Sequence, residues 1–430
     1  MSLLSVLRRV TLAGFLTVTP LIDGCAYLNY FTGNYAQYLN EQPGSQEKRE
    51  LEQIILSKAK VETIGEGKDK IRVLYAQGTP YEIGFQHGRL LREEVRANVG
   101  NVLNLADVMI AKSNKPEIKE KIRNGAKTLA QHIPEHFKEE MKGLADGAGM
   151  TFEAVQFLQC IGDIVEHGCS NYVLSENATE NKEMLQVRIL DFPLDLEVQR
   201  NPLILVVNPD KGNPYATIGW AGFIGTVTGL NKERIALGEM RGDNAVKAYR
   251  KQNNLGEKKE TLEGMLMPFL LRDVLQFDTN LEQVTERLKN AERTNCYVYV
   301  ISDGKTQDAK AYITDKELFE EYNEQDFLKA LSAVEPETEF ANMGGTVFGG
   351  HNNGLINNKI KENYGRINED LLKQDFNPAL AMKDNLQISI YNLTNMTLQV
   401  ANAEGKQKAC ERNYVFLDLN KAFDWFSENR

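Results

Sequence analysis

Gly168-Cys169-Ser170 lies where a helical stretch of sequence gives way to short strand-forming runs. A cysteine thiol attacks carbonyls as its thiolate, and a preceding glycine leaves its own carbonyl sterically open. If the Gly168–Cys169 bond were cut, Cys169 would carry a free α-amine beside its thiol. Such an amine has a reference pKa of about 7.7–8.0, near enough to neutrality to act as a base. Nucleophile and base would then share one residue, with no histidine needed. This suits a chain with only 5 histidines. A lone Gly-Cys pair is ordinarily a buried structural cysteine, but the residues downstream shift that balance. Arg188 and Asp191 stand three apart at the end of the next strand-like run, Leu185–Leu190. A cation there would favour the thiolate, and Asp191 could accept from an ammonium or from Arg188. Asn231, in Thr228-Gly229-Leu230-Asn231, has an amide able to donate to a developing oxyanion.

Other chemistries find less support. His132-Ile133-Pro134-Glu135-His136 fits the inverted zinc-protease pattern H-x-x-E-H. Pro134 fits a first helical turn but not a helix interior, so His132 is expected to lie outside the helix that carries His136. His87 and His351 are isolated in sequence. No G-x-S-x-G elbow occurs, and neither Gly222-Phe223-Ile224-Gly225 nor Gly344-Gly345 stands in a phosphate-loop context.

The elements that must position Cys169 can be read along the chain. At 430 residues, with 42% apolar and 26% charged residues, the composition is that of an ordinary globular protein. A net charge of −10 argues against nucleic acid as a partner. The 5 cysteines, Cys25, Cys160, Cys169, Cys296 and Cys410, are too few and too scattered for a disulfide scaffold. Residues 1–25 read as an export segment. Arg8 and Arg9 precede an apolar run ending at Ile22-Asp23-Gly24-Cys25, which resembles a lipoprotein cleavage site with Cys25 as the lipidated residue. Residues 26–70 read as a linker with one peripheral helix near 46–59. From Pro80 to about 163 apolar residues recur at helical spacing. After Cys169 come short β-rich runs, interrupted by one helical block at about 260–291 and joined by polar links that suit antiparallel sheets. Helices first and strands afterwards make the fold class α+β.

Four stretches, taken together in their order and spacing, carry a family resemblance. Gly78-Thr79-Pro80-Tyr81-Glu82-Ile83-Gly84-Phe85-Gln86-His87-Gly88 resembles an opening G-x-x-Y-E-x-G-x-x-x-G. Gly143-Leu144-Ala145-Asp146-Gly147-Ala148-Gly149 resembles a G-[IL]-A-x-G-A-G helix end. Gly168-Cys169-Ser170 resembles an autocleavage site, and Arg188-x-x-Asp191 followed by Thr228–Asn231 resembles catalytic segments. The chain is thereby similar to the acyl-coenzyme A:6-aminopenicillanic acid acyltransferase-like family of N-terminal-nucleophile (Ntn) hydrolases, relatives of the choloylglycine hydrolases. The resemblance covers residues 73 to about 240. One later stretch departs from the pattern. Where the family tends to have an Asn-His pair and then a Ser-Ser-x-x-Arg-like segment, this chain has Gly350-His351-Asn352-Asn353-Gly354 and Asn363-Tyr364-Gly365-Arg366. Asn352 and Arg366 map onto those roles, and the serines are missing.

The resemblance implies a four-layer αββα sandwich made as a precursor. Cleavage between Gly168 and Cys169 would give a helical segment, residues 71–168 with what precedes it, and a catalytic part, residues 169–430, held as a two-chain heterodimer. It implies acyl transfer from a small N-acyl amide to Cys169, with Arg188, Asp191, Asn231, Asn352 and Arg366 in support and no cofactor or metal. The expected setting is outside the cytoplasm, in a bacterial periplasm or cell envelope, with Cys25 a possible tether to a membrane. Two other readings stay open at this point: a phospholipase B-like enzyme acting on lipid esters, and a catalytically silent surface scaffold.

Overall fold

A computed structural model describes residues 46–113, 116–164, 168–192, 194 and 197–429. The export segment with Cys25, and the linker as far as residue 45, lie outside the described residues. The linker was expected to hold one helix. That helix is present, α1 (Gln46–Ser57), but a strand follows it, β1 (Lys60–Ile64), and pairs with β2 (Ile71–Gly78). The alternation in Lys-Val-Glu-Thr-Ile is too short to distinguish from loop by pattern alone.

Thr79 caps the next helix, α2 (Pro80–Leu90), in a capping box with Glu82, and Pro80 occupies the first turn. Then follow α3 (Arg92–Ser113), α4 (Pro116–Gln131), α5 (Glu135–Ala148) and α6 (Phe152–Ile164). The glycines of the first two resembling stretches have a shared purpose. A Cβ on Gly84 would fall 1.9 Å from the Glu140 carbonyl oxygen, and one on Gly143 would fall 2.0 Å from that of Tyr81. Gly88 and Gly147 are equally tight, at 2.3 and 2.4 Å from carbonyl oxygens of the facing helix. Helices α2 and α5 therefore touch backbone to backbone. His132 lies between α4 and α5 while His136 sits in α5, bonded to Asp273 at 2.9 Å. The two histidines do not share a helix face, as Pro134 implied.

Fifteen strands among the described residues form two sheets. The larger runs β1-β2-β5-β6-β7-β8-β9-β10-β11, with β5 (Pro202–Pro209), β6 (Tyr215–Trp220), β7 (Thr228–Asn231), β8 (Ile235–Arg241), β9 (Tyr297–Asp303), β10 (Asp308–Thr314) and β11 (Phe319–Tyr322). The smaller runs β12-β3-β4-β13-β14-β15, with β3 (Cys169–Leu174), β4 (Leu185–Asp191), β12 (Thr346–Gly349), β13 (Asn385–Asn392), β14 (Thr397–Asn402) and β15 (Val415–Asp418). Pairing is antiparallel except between β2 and β5. So the segment ahead of Cys169 supplies strands to the larger sheet as well as helices.

Alternation along the larger sheet divides its side chains between two cores. Leu74, Leu205, Leu237 and Tyr299 pack on the N-terminal helices, with Val99, Phe137, Leu144 and Val155. Val73, Val206, Ala236 and Val300 pack towards the smaller sheet, with Val173, Leu190 and Tyr391. The expected helical block near 260–291 is two helices, Met267–Phe277 and Leu281–Asn290, preceded by a further one at Asp243–Gln252. Helices at Glu324–Val334, Asn353–Asn363 and Leu419–Glu428 were not evident in the periodicity.

Candidate active site

Cys169 opens β3, and β3 pairs with β4 in the register Cys169↔Leu190 and Asn171↔Arg188. The strand-like run that follows Cys169 in sequence is thus also its neighbour in the sheet. Cys169 and Arg188 lie on one face of the sheet as diagonal neighbours, close enough for a long side chain to reach across. That face looks into the larger sheet, because a Cβ on Gly238 would meet Arg188 Cδ at 2.8 Å and Asn171 Nδ2 at 2.4 Å. Glycine at 238 is what lets Arg188 pass. The pairing of β8 with β7 ends at Thr228↔Gly238, which leaves that edge of β8 open beyond it. There Arg188, only 1% exposed, donates from Nη2 to Glu239 Oε1 at 2.8 Å and from Nη1 to the Ile189 carbonyl at 2.8 Å. Arg188 Nε is buried without an acceptor among the described residues.

Burial pushes the Cys169 thiol up to about 12; the Arg188 charge opposes that shift, and Glu239 and Asp191 add to it. In the uncut chain the thiol therefore holds its proton at neutral pH. Asp191 stands opposite the Gly168–Cys169 bond, and its backbone N–H donates to the Gly168 carbonyl oxygen at 3.1 Å. Its side-chain Oδ1 accepts from Met382 N and from Asn385 Nδ2, each at 3.1 Å. Its Oδ2 is buried and has no partner among the described residues. Burial lifts this carboxyl to about 6, against the hydrogen bonds that favour its charged form.

Three further expected residues do not converge in the same way. Asn231 is fully buried, but both amide hydrogens go to backbone carbonyls, Leu275 at 2.9 Å and Asp278 at 2.8 Å. Its Oδ1 accepts from Ile235 N at 2.9 Å. It ties the β7–β8 turn to a helix and has no hydrogen left for an oxyanion, so the expected donor role does not fit this geometry. Arg366 is exposed and donates to the Glu362 carbonyl at 2.8 Å, next to Ile367, which bridges Thr179 beyond the far end of β3. Asn352 caps the helix Asn353–Asn363 through its Oδ1 and stands at the rim of a cavity that Cys169 also lines.

Sequence reasoning missed Glu239 and His351. Glu239 is 8% exposed in the strand Ile235–Arg241, between the apolar run Ile235–Gly238 and Met240. A buried acid in such a strand needs a cation, and that signal pointed to a partner for Arg188. His351 Nδ1 lies 3.3 Å from Ser170 Oγ, brought there by a loop whose path no local pattern reveals. Asp243, Glu260 and Cys296 bring possible metal-ligand atoms within 4.8 Å of one another. The Lys258 ammonium donates to both carboxylates and supplies the positive charge there.

No family model matches the chain. Protein dcd1A of Dictyostelium discoideum is 29% identical over 278 residues, 59% of this chain and 60% of that protein. Protein dcd1B of the same organism is 28% identical over 255 residues, 55% of this chain and 48% of that protein. The match thus spans less than two thirds of either relative's length. Among solved structures the fold is similar to a Caenorhabditis elegans N-acylethanolamine-hydrolyzing acid amidase ortholog (TM-score 0.37, 12% identity, 53% of this chain and 93% of that one). Penicillin V acylase from Agrobacterium tumefaciens gives a TM-score of 0.37 at 11% identity, covering 59% of this chain and 87% of that one. A variant of conjugated bile acid hydrolase from Clostridium perfringens gives 0.39 at 14% identity, covering 59% and 93%.

Proposed function

We propose that the protein is a cysteine amidohydrolase of the N-terminal-nucleophile type, built as a four-layer αββα sandwich and activated by cutting itself between Gly168 and Cys169. The observation that carries this reading is the placement of Asp191. Its backbone N–H donates to the Gly168 carbonyl oxygen at 3.1 Å, and its buried Oδ2, without a partner among the described residues, supports a role in holding the amine freed at Cys169. In the first reaction the Cys169 sulfur attacks the Gly168 carbonyl carbon and the peptide nitrogen leaves with a proton. The resulting thioester is opened by water, leaving a carboxylate on Gly168 and an amine and thiol on Cys169. Joining nucleophile and carbonyl by a few bonds removes much of the entropic cost of meeting.

In the second reaction the new amine takes the thiol proton, Arg188 favours the thiolate, and Asp191 holds the ammonium. The thiolate attacks a small N-acyl amide, the amine portion leaves with the proton, and water hydrolyses the acyl-enzyme. Both pieces stay together, because β1, β2 and the helices before the cut are woven into the larger sheet and its core. Export through residues 1–25, with Cys25 as a membrane tether, belongs to the same proposal.

Intact mass tests it. Wild-type protein should resolve into two chains split after Gly168, and Cys169→Ala should stay whole. A Cys169→Ala chain that still splits there would assign the cut to another protease. A thiol-directed probe should label Cys169 alone among the cysteines of the mature enzyme.

A further inference from the structure

Cys169 and Arg241 line two cavities of different character. One, of about 140 Å³, is walled mostly by apolar side chains, among them Leu158, Trp220, Val227 and Met267, with Asn98, Glu197 and Glu239 in its polar lining. The other, of about 630 Å³, carries Arg241, Asp243, Lys247, His351 and Asn353 on its walls. An amide that reacts at Cys169 must place its acyl group on one side of the sulfur and its amine portion on the other. Apolar surface belongs against the apolar wall. Charged and hydrogen-bonding groups belong where partners and water remain within reach.

We infer that the smaller cavity receives the acyl group and limits it to about the size of a benzene ring or a six-carbon chain, while the larger cavity receives a polar amine portion. This inference rests on the amidohydrolase reading. Its size limit comes from volume. A dry apolar cavity of about 150 Å³ accepts one benzene molecule, and this one is no larger. A palmitoyl chain outsizes it severalfold. The substrate class is then phenylacetyl-like or hexanoyl-like amides of polar amines, such as amino acids, rather than long-chain fatty amides. Leu158 on α6 and Trp220 at the end of β6 gauge the length. Leu158 comes from the segment ahead of the cut, so both pieces set the specificity.

The test is a chain-length series of N-acyl glycines, acetyl, hexanoyl, phenylacetyl and palmitoyl, run alongside calorimetric binding of the four free carboxylic acids to the same purified protein. Hexanoyl and phenylacetyl glycine should lead acetyl and palmitoyl glycine by about 10-fold or more in kcat/KM, since single methylenes in apolar pockets are worth about 10–200-fold. The acids should bind in the same order. Trp220→Ala should move the optimum to longer chains, and Leu158→Phe should move it towards acetyl. Val227→Leu, a smaller change, should act in the Leu158→Phe direction if that variant does not fold. Turnover that rises steadily to palmitoyl, or an optimum that none of the wall variants moves, would overturn the size limit. Binding in the expected order with no turnover of any amide and no labelling of Cys169 would instead overturn the amidohydrolase reading and leave the size limit supported.

Discussion

Asp163 and Asp191 are two buried acids on either side of Gly168–Cys169 in sequence, and burial lifts both to about 6. Asp163 sits on α6 where the helices meet the larger sheet. Its Oδ1 accepts from Thr294 Oγ1 at 2.9 Å and Tyr297 OH at 3.0 Å, and its Oδ2 accepts from Met267 N at 3.0 Å. Asp191 uses one oxygen twice and leaves the other buried and without a partner among the described residues. Most buried polar atoms in folded proteins find a partner. The closed acid is thus explained by packing, whereas the open one stores an unmet hydrogen bond on the strand paired with Cys169, the proposed nucleophile. The same depth of burial serves structure in one region and, under the proposed function, chemistry in the other.

The sharpest way to break that comparison is to neutralise each acid. Asp191→Asn should lower kcat/KM for amide hydrolysis by about 100-fold or more, in the range for groups that assist proton transfer. Asp163→Asn should stay within about threefold of wild type. Equal losses in steady-state kinetics would erase the distinction between the two sites.

Stability should rank them the other way. Asp163→Ala strands two hydroxyls and an N–H and should cost about 2–4 kcal/mol, read from urea unfolding of the uncut Cys169→Ala chain. Asp191→Ala in that background should cost less, because it removes an unsatisfied atom along with two hydrogen bonds. If Asp191→Ala proves the more damaging, its carboxylate is structural and the open-site reading fails.

The acids also differ in what pH reveals. A carboxyl lifted from 3.8 to about 6 keeps, in the folded state, a proton that the unfolded chain has released. Stability therefore falls as pH rises between about 4 and 6, by up to about 3 kcal/mol for each such group. Adding Asp191→Asn to the Cys169→Ala chain removes its share, so the stability of that variant relative to its parent should climb across this window and level off above it. A difference that is flat with pH would mean that Asp191 is ionised at its ordinary pKa. The cleaved enzyme should show a weaker effect, because an ammonium at Cys169 favours the carboxylate.

The β3–β4 hairpin was legible because both strands are local in sequence, whereas the register that pairs Cys169 with Leu190 is set by the longer connection between them and was not. The glycine pairs of α2 and α5 were also visible as motifs, though their reason, backbone contact between the helices, was not. Glu239 escaped because its partner lies 51 positions away across two sheets. Asn231 misled because a buried amide reads the same in sequence whether its hydrogens face a ligand or two carbonyls. Short strands such as Lys60–Ile64 and Thr346–Gly349 carry too few residues for alternation to register.

Asn231 offers a second case on the closed side of the comparison. Asn231→Ala should destabilise the uncut chain by about 1–3 kcal/mol, because two carbonyls and one N–H lose their partners. At a temperature where the variant is fully folded, self-cleavage and kcat should remain within about threefold of wild type. A loss of kcat near the 10²–10³-fold typical of an oxyanion donor, with the fold intact by circular dichroism, would show that the amide turns towards the site during catalysis.

The smallest effect belongs to Arg366. Its side chain is exposed, it donates to a carbonyl of the preceding helical turn, and its neighbour Ile367 bridges Thr179, past the end of β3 remote from Cys169. Arg366→Ala should change stability by no more than about 0.5 kcal/mol, as for surface positions away from special features. Self-cleavage and kcat/KM should be unchanged within error. Removing an exposed guanidinium from a net acidic chain alters long-range attraction for an anionic amide only weakly, and salt near 0.15 M screens that beyond about 8 Å. If Arg366→Ala lowers kcat/KM tenfold at that ionic strength, the 363–366 segment must fold over the cavity rim when substrate binds. The site would then be open on one more side than the Asp163–Asp191 comparison assigns to it.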